Sequence, residues 1–130
     1  MAPSNPQLDG ALLLVYVCHI LHTMRLHEVL RRCTGFDWDD GNTDKNWAKH
    51  RVSDAEGEQT FFNRPLLVIA DHAHSQGEGR FFALGTTDSG RRLFVAFTVR
   101  EDRIRIISAR DMTRSETQEY ERHAKRHPPL

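Results

Sequence analysis

Several features on which a function is usually built are scarce in this chain. Cysteine occurs twice, as Cys18 and Cys33, and never in a Cys-x-x-Cys arrangement. That excludes a disulfide-held scaffold and a cysteine zinc site, and it fits a reducing, cytoplasmic setting. Net charge is absent: 18 Lys and Arg balance 18 Asp and Glu, so a global polycation that binds any nucleic acid is excluded. Long hydrophobic runs are missing too. The one apolar stretch, Ala11 to Leu21, falls well short of the roughly 20 residues that span a bilayer. Asp9 is the only charge before it and no small-residue cleavage site follows, so it reads as neither anchor nor signal. No membrane association is expected. No internal repeat or low-complexity block is visible.

What is present is uneven. Arg80, Arg91, Arg92, Arg100, Arg103, Arg105 and Arg110 crowd one region, while acidic residues gather between Asp37 and Glu58 and again near the C-terminus. Local asymmetry inside a neutral whole suits a site, or a basic surface that meets an acidic partner. At 130 residues the chain reads as one domain with an appendage. Residues 1–34 are expected to be an N-terminal extension with one helix from Ala11 to about Cys33, residues 35–126 the working domain, and 127–130 a tail.

Within the domain, Phe36 to Asp39 reads as a short strand or extended anchor, and Thr43 or Asp44 caps a helix through His50. Ser53-Asp54-Ala55-Glu56 is a capping box, opening a helix expected to reach Phe61 or Phe62. After Arg64-Pro65 the period becomes two. Strands are expected at Leu66–Ala70, Arg80–Thr87, Arg91–Thr98 and Arg103–Ala109, with Gly90 supplying a positive φ in the second connection. Thr113-Arg114-Ser115-Glu116 is another capping box, opening a helix that carries Tyr120 to about Lys125. The order predicts an α+β fold: a small antiparallel sheet of about four strands, with N-terminal helices and a C-terminal helix on one face and the other face partly open.

The strand from Arg103 alternates cation and aliphatic bulk, which sends Ile104 and Ile106 to one face and Arg103 and Arg105 to the other. Strict alternation then puts Ser108 and Arg110 with the isoleucines, unless the strand bulges. In the first case Arg110 is a structural anchor, paired with Glu121 or Asp37. In the second it joins the cationic face.

Chemistry is narrowed by elimination. His72 and His74 are spaced as an extended pair, and His19 and His22 as a helical one, but neither comes with further ligands, so no metal is expected. Ser75 beside His74 is only a sequence neighbour, and no Gly-x-Ser-x-Gly elbow exists. Gly77-Glu78-Gly79 is no phosphate loop, and Asp37, Asp39 and Asp40 read as a helix-start cluster. No cofactor is expected. Cofactor-free RNA cleavage remains, in which the ribose 2′-OH attacks its neighbouring phosphate. That reaction needs proton donors and acceptors and fixed cations around the phosphate oxygens. The open face is expected to carry Arg103 and Arg105, with Arg92, Phe94 and Thr98 from the neighbouring strand and Arg80 from the next. Phe94 or Phe82 offers a stacking surface, and His50 or His74 is a candidate to handle protons.

Phe36-Asp37-Trp38-Asp39, Asn46-Trp47-Ala48-Lys49-His50, His74-Ser75 with Glu78 and Arg80, Phe97-Thr98, Arg103 to Arg110 with its Ile-Ile-Ser-Ala-Arg ending, and Tyr120-Glu121 together resemble the BrnT family. These are toxins of bacterial type II toxin–antitoxin pairs. The resemblance runs from about Phe36 to Arg122. It implies a RelE-like fold, an RNA-cleaving activity, neutralisation by a BrnA-like antitoxin, and contact with operator DNA only through that antitoxin. Carried over position by position, it points to Lys49, His50, Arg80, Thr98, Arg105, Ser108, Arg110 and Tyr120. Three departures accompany it: Arg51 where the family has glycine, Asp54-Ala55-Glu56-Gly57 as a poorer helix, and Val99 where a glutamate is common. If that glutamate assists catalysis, an inactive homologue that binds antitoxin and co-represses transcription is the alternative.

Overall fold

The computed structural model describes residues 30–38, 40–71 and 79–126. The chain divides into two compact units, Met1–Arg32 and Cys33–Leu130. Of the first, only residues 30–32 are described, and they are helical. The apolar run from Ala11, the tail 127–130, and the segment holding His72, His74, Ser75 and Glu78 lie outside the described residues.

The second unit runs β1 (Gly35–Asp37), α1 (Asp40–His50), α2 (Asp54–Gln59), β2 (Leu67–Ala70), β3 (Arg80–Thr86), β4 (Arg92–Arg100), β5 (Arg103–Asp111) and α3 (Arg114–Arg126). The sheet has five strands in the order β1-β5-β4-β3-β2. The architecture is the expected α+β type, with one strand more. Phe36 belongs to a short edge strand that pairs parallel with β5, Gly35 against Arg103 and Asp37 against Arg105. The remaining pairings are antiparallel.

Both capping boxes form. Ser53 accepts from the Glu56 amide while the Glu56 carboxylate accepts from the Ser53 amide. Thr113 and Glu116 exchange the same pair of bonds at 3.2 and 2.8 Å. The helix after Ser53 is shorter than expected and stops at Gln59. Its Gly57 has a packing reason: a Cβ there would sit 3.3 Å from Ile106 Cδ1 and 3.6 Å from the Trp38 ring. The glycine that weakens the helix lets it approach the sheet closely. Gly90 takes the anticipated positive φ, at 92°.

The helices occupy both faces of the sheet, not one. On the first face α2 and the turn after it cover Val95, Phe97, Ile104 and Ile106, all fully or almost fully buried, with Phe61 set edge-on against Phe97 at 4.9 Å. On the second face α3 covers only one end. Tyr120 packs there on Leu67 and Leu84, with Ile69, Phe94 and Met112 around them. The reason lies in the register: Leu67, Leu84 and Phe94 are cross-strand partners and form one apolar row. The rest of this second face has no helix over it among the described residues.

The position after His50 shows how α1 ends without a glycine. Arg51 itself takes the left-handed conformation, φ 53°, and its amide bonds the Trp47 carbonyl at 3.0 Å, the single bond of an αL helix end. Its guanidinium lies over the Trp47 ring at 5.4 Å. A side chain in that conformation costs roughly 1–2 kcal/mol, against about 0.5–1 for an exposed cation–π contact. Arg51→Gly is therefore expected to raise the stability of the domain by up to about 1 kcal/mol, read as a shift of the urea midpoint with unchanged slope.

Candidate functional site

The part of the second face with no helix over it among the described residues is built from cross-strand rows. One row reads Arg80 on β3, Thr98 on β4, Arg105 on β5 and Asp37 on β1, each the register partner of the next. The row beside it reads Phe82, Ala96 and Ser108. Neighbouring strands lie about 4.8 Å apart, so Arg80 and Arg105 flank Thr98 with about 10 Å between their backbones. Two guanidinium arms at that separation can close on one phosphate from both sides. Thr98 is 6% exposed, and its hydroxyl is buried without a hydrogen-bond partner among the described residues. Arg80 also approaches the buried carboxylate of Asp71 at 3.5 Å.

Ser108 reaches this face because β5 bulges. The register is Thr98 with Arg105 and Phe97 with Ile106, then Ala96 with Ser108, so Ile107 is the extra residue. Beyond it every side chain changes face. Arg110 accordingly partners Phe94 and lies over its ring at 4.1 Å. The reading of Arg110 as a core-face anchor is overturned, and so are its suggested partners. It binds Glu116 through both nitrogens, at 2.8 and 2.9 Å, tying β5 to the first turn of α3. Burial works to raise the Glu116 carboxyl. The bonds from Arg110 and the Thr113 amide outweigh it and hold the group below its ordinary range. Asp37 is taken by Arg103, whose Nε donates to it at 2.6 Å, and Glu121 by Arg92 at 2.7 Å. Arg103 and Arg92 are thus engaged with carboxylates at the two ends of the face, away from Thr98.

Three other sequence candidates are not brought to the row. Tyr120 is buried under α3, where its hydroxyl bonds Thr86 and donates to the Pro65 carbonyl, both at 2.7 Å. Arg92 lies over its ring. Thr86 partners Arg92, six positions along β4 from Thr98, or about 20 Å. Tyr120→Phe is expected to lower stability by about 1–2 kcal/mol, the worth of such buried bonds. Per folded molecule it should leave the activity of the arginine row unchanged, a comparison of thermal unfolding with turnover.

Lys49 and His50 lie at the end of α1, on the α2 side of the sheet. The carbonyls of His50 and Arg51 accept from Arg91, which also binds Glu56 and Asp111. The positive charge of His50 helps to lower the Asp111 carboxyl, after the dominant hydrogen bond from Arg91. Asp111 is about 17 Å along the sheet from the Arg105 row, because its partner Leu93 is five positions from Thr98. The Lys-His pair sits on the covered side because it closes the α1 end over the Arg91 network.

Val99 is placed with equal clarity. It partners Ile104 on the helix-covered face, opposite to Thr98 and Arg105. A glutamate at that position would not enter the arginine row. Asp37 is the residue whose place in the row the sequence concealed. It looked like part of a helix-start cluster, and only the parallel pairing of a three-residue strand sets it beside Arg105.

Among the described residues, the half-face with no helix over it lines up Arg80 and Arg105 around the buried Thr98 hydroxyl. The model of the ribonuclease toxin family BrnT, of type II toxin–antitoxin systems, matches residues 38–116, and the chain belongs to that family. Membership implies an antitoxin partner and an RNA target. Among solved structures, the chain is similar to the Brucella abortus ribonuclease toxin BrnT, with a TM-score of 0.47 and 20% identity. That match covers 62% of this chain and 97% of the other. No curated protein matches it in sequence.

Proposed function

We propose that this protein is an endoribonuclease toxin that acts through the Arg80–Thr98–Arg105 row. The scissile phosphate lies across Thr98, and its non-bridging oxygens are held by Arg80 and Arg105. Attack of the adjacent 2′-oxygen, whose proton passes to water, forms a P–O bond and a five-coordinate, dianionic phosphorus. The P–O5′ bond then breaks and the leaving oxygen takes a proton from water, giving a 2′,3′-cyclic phosphate and a 5′-hydroxyl. The arginines are stationary charges aimed at where charge develops, and such preorganised groups supply the largest share of stabilisation in reactions of this kind. Phe82, half-buried beside the row, offers a ring on which a splayed base can stack.

In this reading Lys49, His50 and Tyr120 support the fold, and Arg110 orders the entry to α3. A BrnA-like antitoxin, itself the contact to operator DNA, neutralises the toxin in the cytoplasm, and residues 1–34 are an extension outside the working domain. The observation that carries the reading is the register that lines up two arginines around the unpartnered, buried hydroxyl of Thr98. The alternative of an inactive co-repressor rests on Val99, which faces away from that row. Induced expression without antitoxin tests the choice: growth arrest with loss of intact RNA is expected. Unimpaired growth with intact RNA favours the co-repressor.

A further inference from the structure

The bulge that delivers Ser108 to the open face is held by a residue on another element. Asn46 of α1 is 2% exposed, and its Oδ1 accepts from the Ala109 amide at 3.1 Å, a buried bond across 63 positions of sequence. The direction of that amide depends on the register. At the far end of the ladder the Met112 amide bonds the Arg92 carbonyl at 3.1 Å, which makes Arg92 and Met112 a hydrogen-bonded pair. Bonded pairs alternate with non-bonded ones, so Phe94–Arg110 and Ala96–Ser108 are bonded and Val95–Ala109 is not. The Ala109 amide therefore points away from β4, toward the edge that β1 is too short to cover. Asn46 meets it there.

A one-residue shift of β5 would reverse both properties at once. Ser108 and Arg110 would turn to the helix-covered face, and the Ala109 amide would turn back to β4, out of reach of Asn46. The Asn46–Ala109 bond exists only in the bulged register. We propose that Asn46 is a positioning residue for the RNA-cleaving face: it caps the outward amide of Ala109 and so locks the register that sets Ser108 beside the Thr98 row. The inference rests on the ribonuclease reading for its catalytic consequence, and on geometry alone for its structural one. The Asn46 amide nitrogen is buried without a partner among the described residues. The residue works through its oxygen, and a carboxylate in its place keeps that acceptor.

The test compares Asn46→Leu, which keeps the volume and removes the acceptor, with Asn46→Asp, which keeps both. Amide hydrogen exchange at Ala109 and the cross-strand contacts of Phe94 with Arg110 report the register without any reference to RNA. Cleavage of an RNA oligonucleotide reports its consequence. In Asn46→Leu, the Ala109 amide is expected to lose protection and kcat to fall about 100-fold, because β5, no longer locked, takes Ser108 off the face and shifts Arg105 slightly against Thr98. KM should change by less than about threefold, since Arg80 and Arg105 still bind the backbone. Asn46→Asp should restore Ala109 protection and bring kcat back to within about tenfold of the parent. Wild-type protection and kcat in Asn46→Leu would overturn the proposal. So would an Asn46→Asp variant that loses the Phe94–Arg110 pairing, and this arm stands even if the leucine variant does not fold. If the parent protein cleaves no RNA, the ribonuclease reading fails, while the exchange and pairing data still decide the role of Asn46.

Discussion

Growth arrest is expected to disappear when Arg105 is replaced by alanine, and RNA cleavage by the purified variant to fall by about 100-fold or more. That loss corresponds to removal of one preorganised group that stabilises developing charge. Arg105 is the arginine of choice because of its neighbours. It shares a cross-strand pair with Thr98 and lies beside Asp37, at the centre of the half-face with no helix over it among the described residues. Arg103, two positions earlier, carries the same charge and ties β5 to the edge strand through Asp37 and the Phe36 carbonyl. The comparison of the two is therefore informative. Arg103→Ala should weaken the attachment of β1 and leave most of the turnover, whereas Arg105→Ala should remove turnover and leave a cooperative unfolding transition. Lysine at 105 should recover only part of the activity, because a point charge cannot grip two phosphate oxygens as a planar fork does. Retention of full cleavage by Arg105→Ala would remove the central residue of the account.

The second large effect is on stability. Arg91 is the hub on the opposite side of the sheet. Its nitrogens donate to Asp111 at 2.7 and 3.1 Å, to Glu56 at 3.2 and 3.3 Å, and to the carbonyls of Arg51 and His50 at 2.8 and 3.0 Å. One side chain thereby joins the end of α1, the start of α2 and the end of β5. Arg91→Met keeps the aliphatic stem but strands two carbonyls and a carboxylate. A loss of about 1–2 kcal/mol is expected, because the Arg91 and Glu56 side chains are each 26% exposed and Asp111 is 63% exposed, so water screens these arms.

The same hub sets a dependence on pH. Hydrogen bonding from Arg91 holds Asp111 below its usual value, partly opposed by burial. Burial raises Glu56, but bonds from the Ser53 amide and Arg91 more than offset it, so that carboxyl is lowered too. A lowered carboxylate stabilises the fold fully above its unfolded value, and that contribution disappears as pH falls through the folded one. The parent should lose stability progressively below the ordinary carboxylate range, and Arg91→Met should show a flatter profile there. Denaturant unfolding at a series of acid pH values measures both slopes.

How much of this was written plainly in the sequence depends on the kind of signal. Period-two alternation located β3, β4 and the first half of β5, because a two-faced sheet imposes it residue by residue. Ser53 and Thr113 announced their helices because capping is a local transaction among four residues. Elements governed by distant partners were harder to see. Gly35–Asp37 is too short to carry a pattern, and only its parallel pairing with β5 makes it a strand. The bulge at Ile107 left no local mark: alternation alone sends Ser108 to the wrong face, and the deciding contact comes from Asn46. Lys49 and His50 are candidates through the family resemblance. Their place beside Arg91 and Asp111 follows from how the end of α1 meets the sheet, which no spacing encodes. Tyr120, to which the resemblance also points, is hidden in the same way. Its hydroxyl is held by Thr86 and Pro65 through the way α3 folds back over β3.

Analysis of the cleaved ends tests the central claim most directly. Purified protein, free of antitoxin, is incubated with a defined RNA oligonucleotide in the presence of a metal chelator, and the products are resolved by mass. Fragments ending in a 2′,3′-cyclic phosphate, with a 5′-hydroxyl on the partner fragment, are expected from the parent and not from Arg105→Ala. Intact RNA, or cleavage that persists unchanged without Arg105, would contradict that claim.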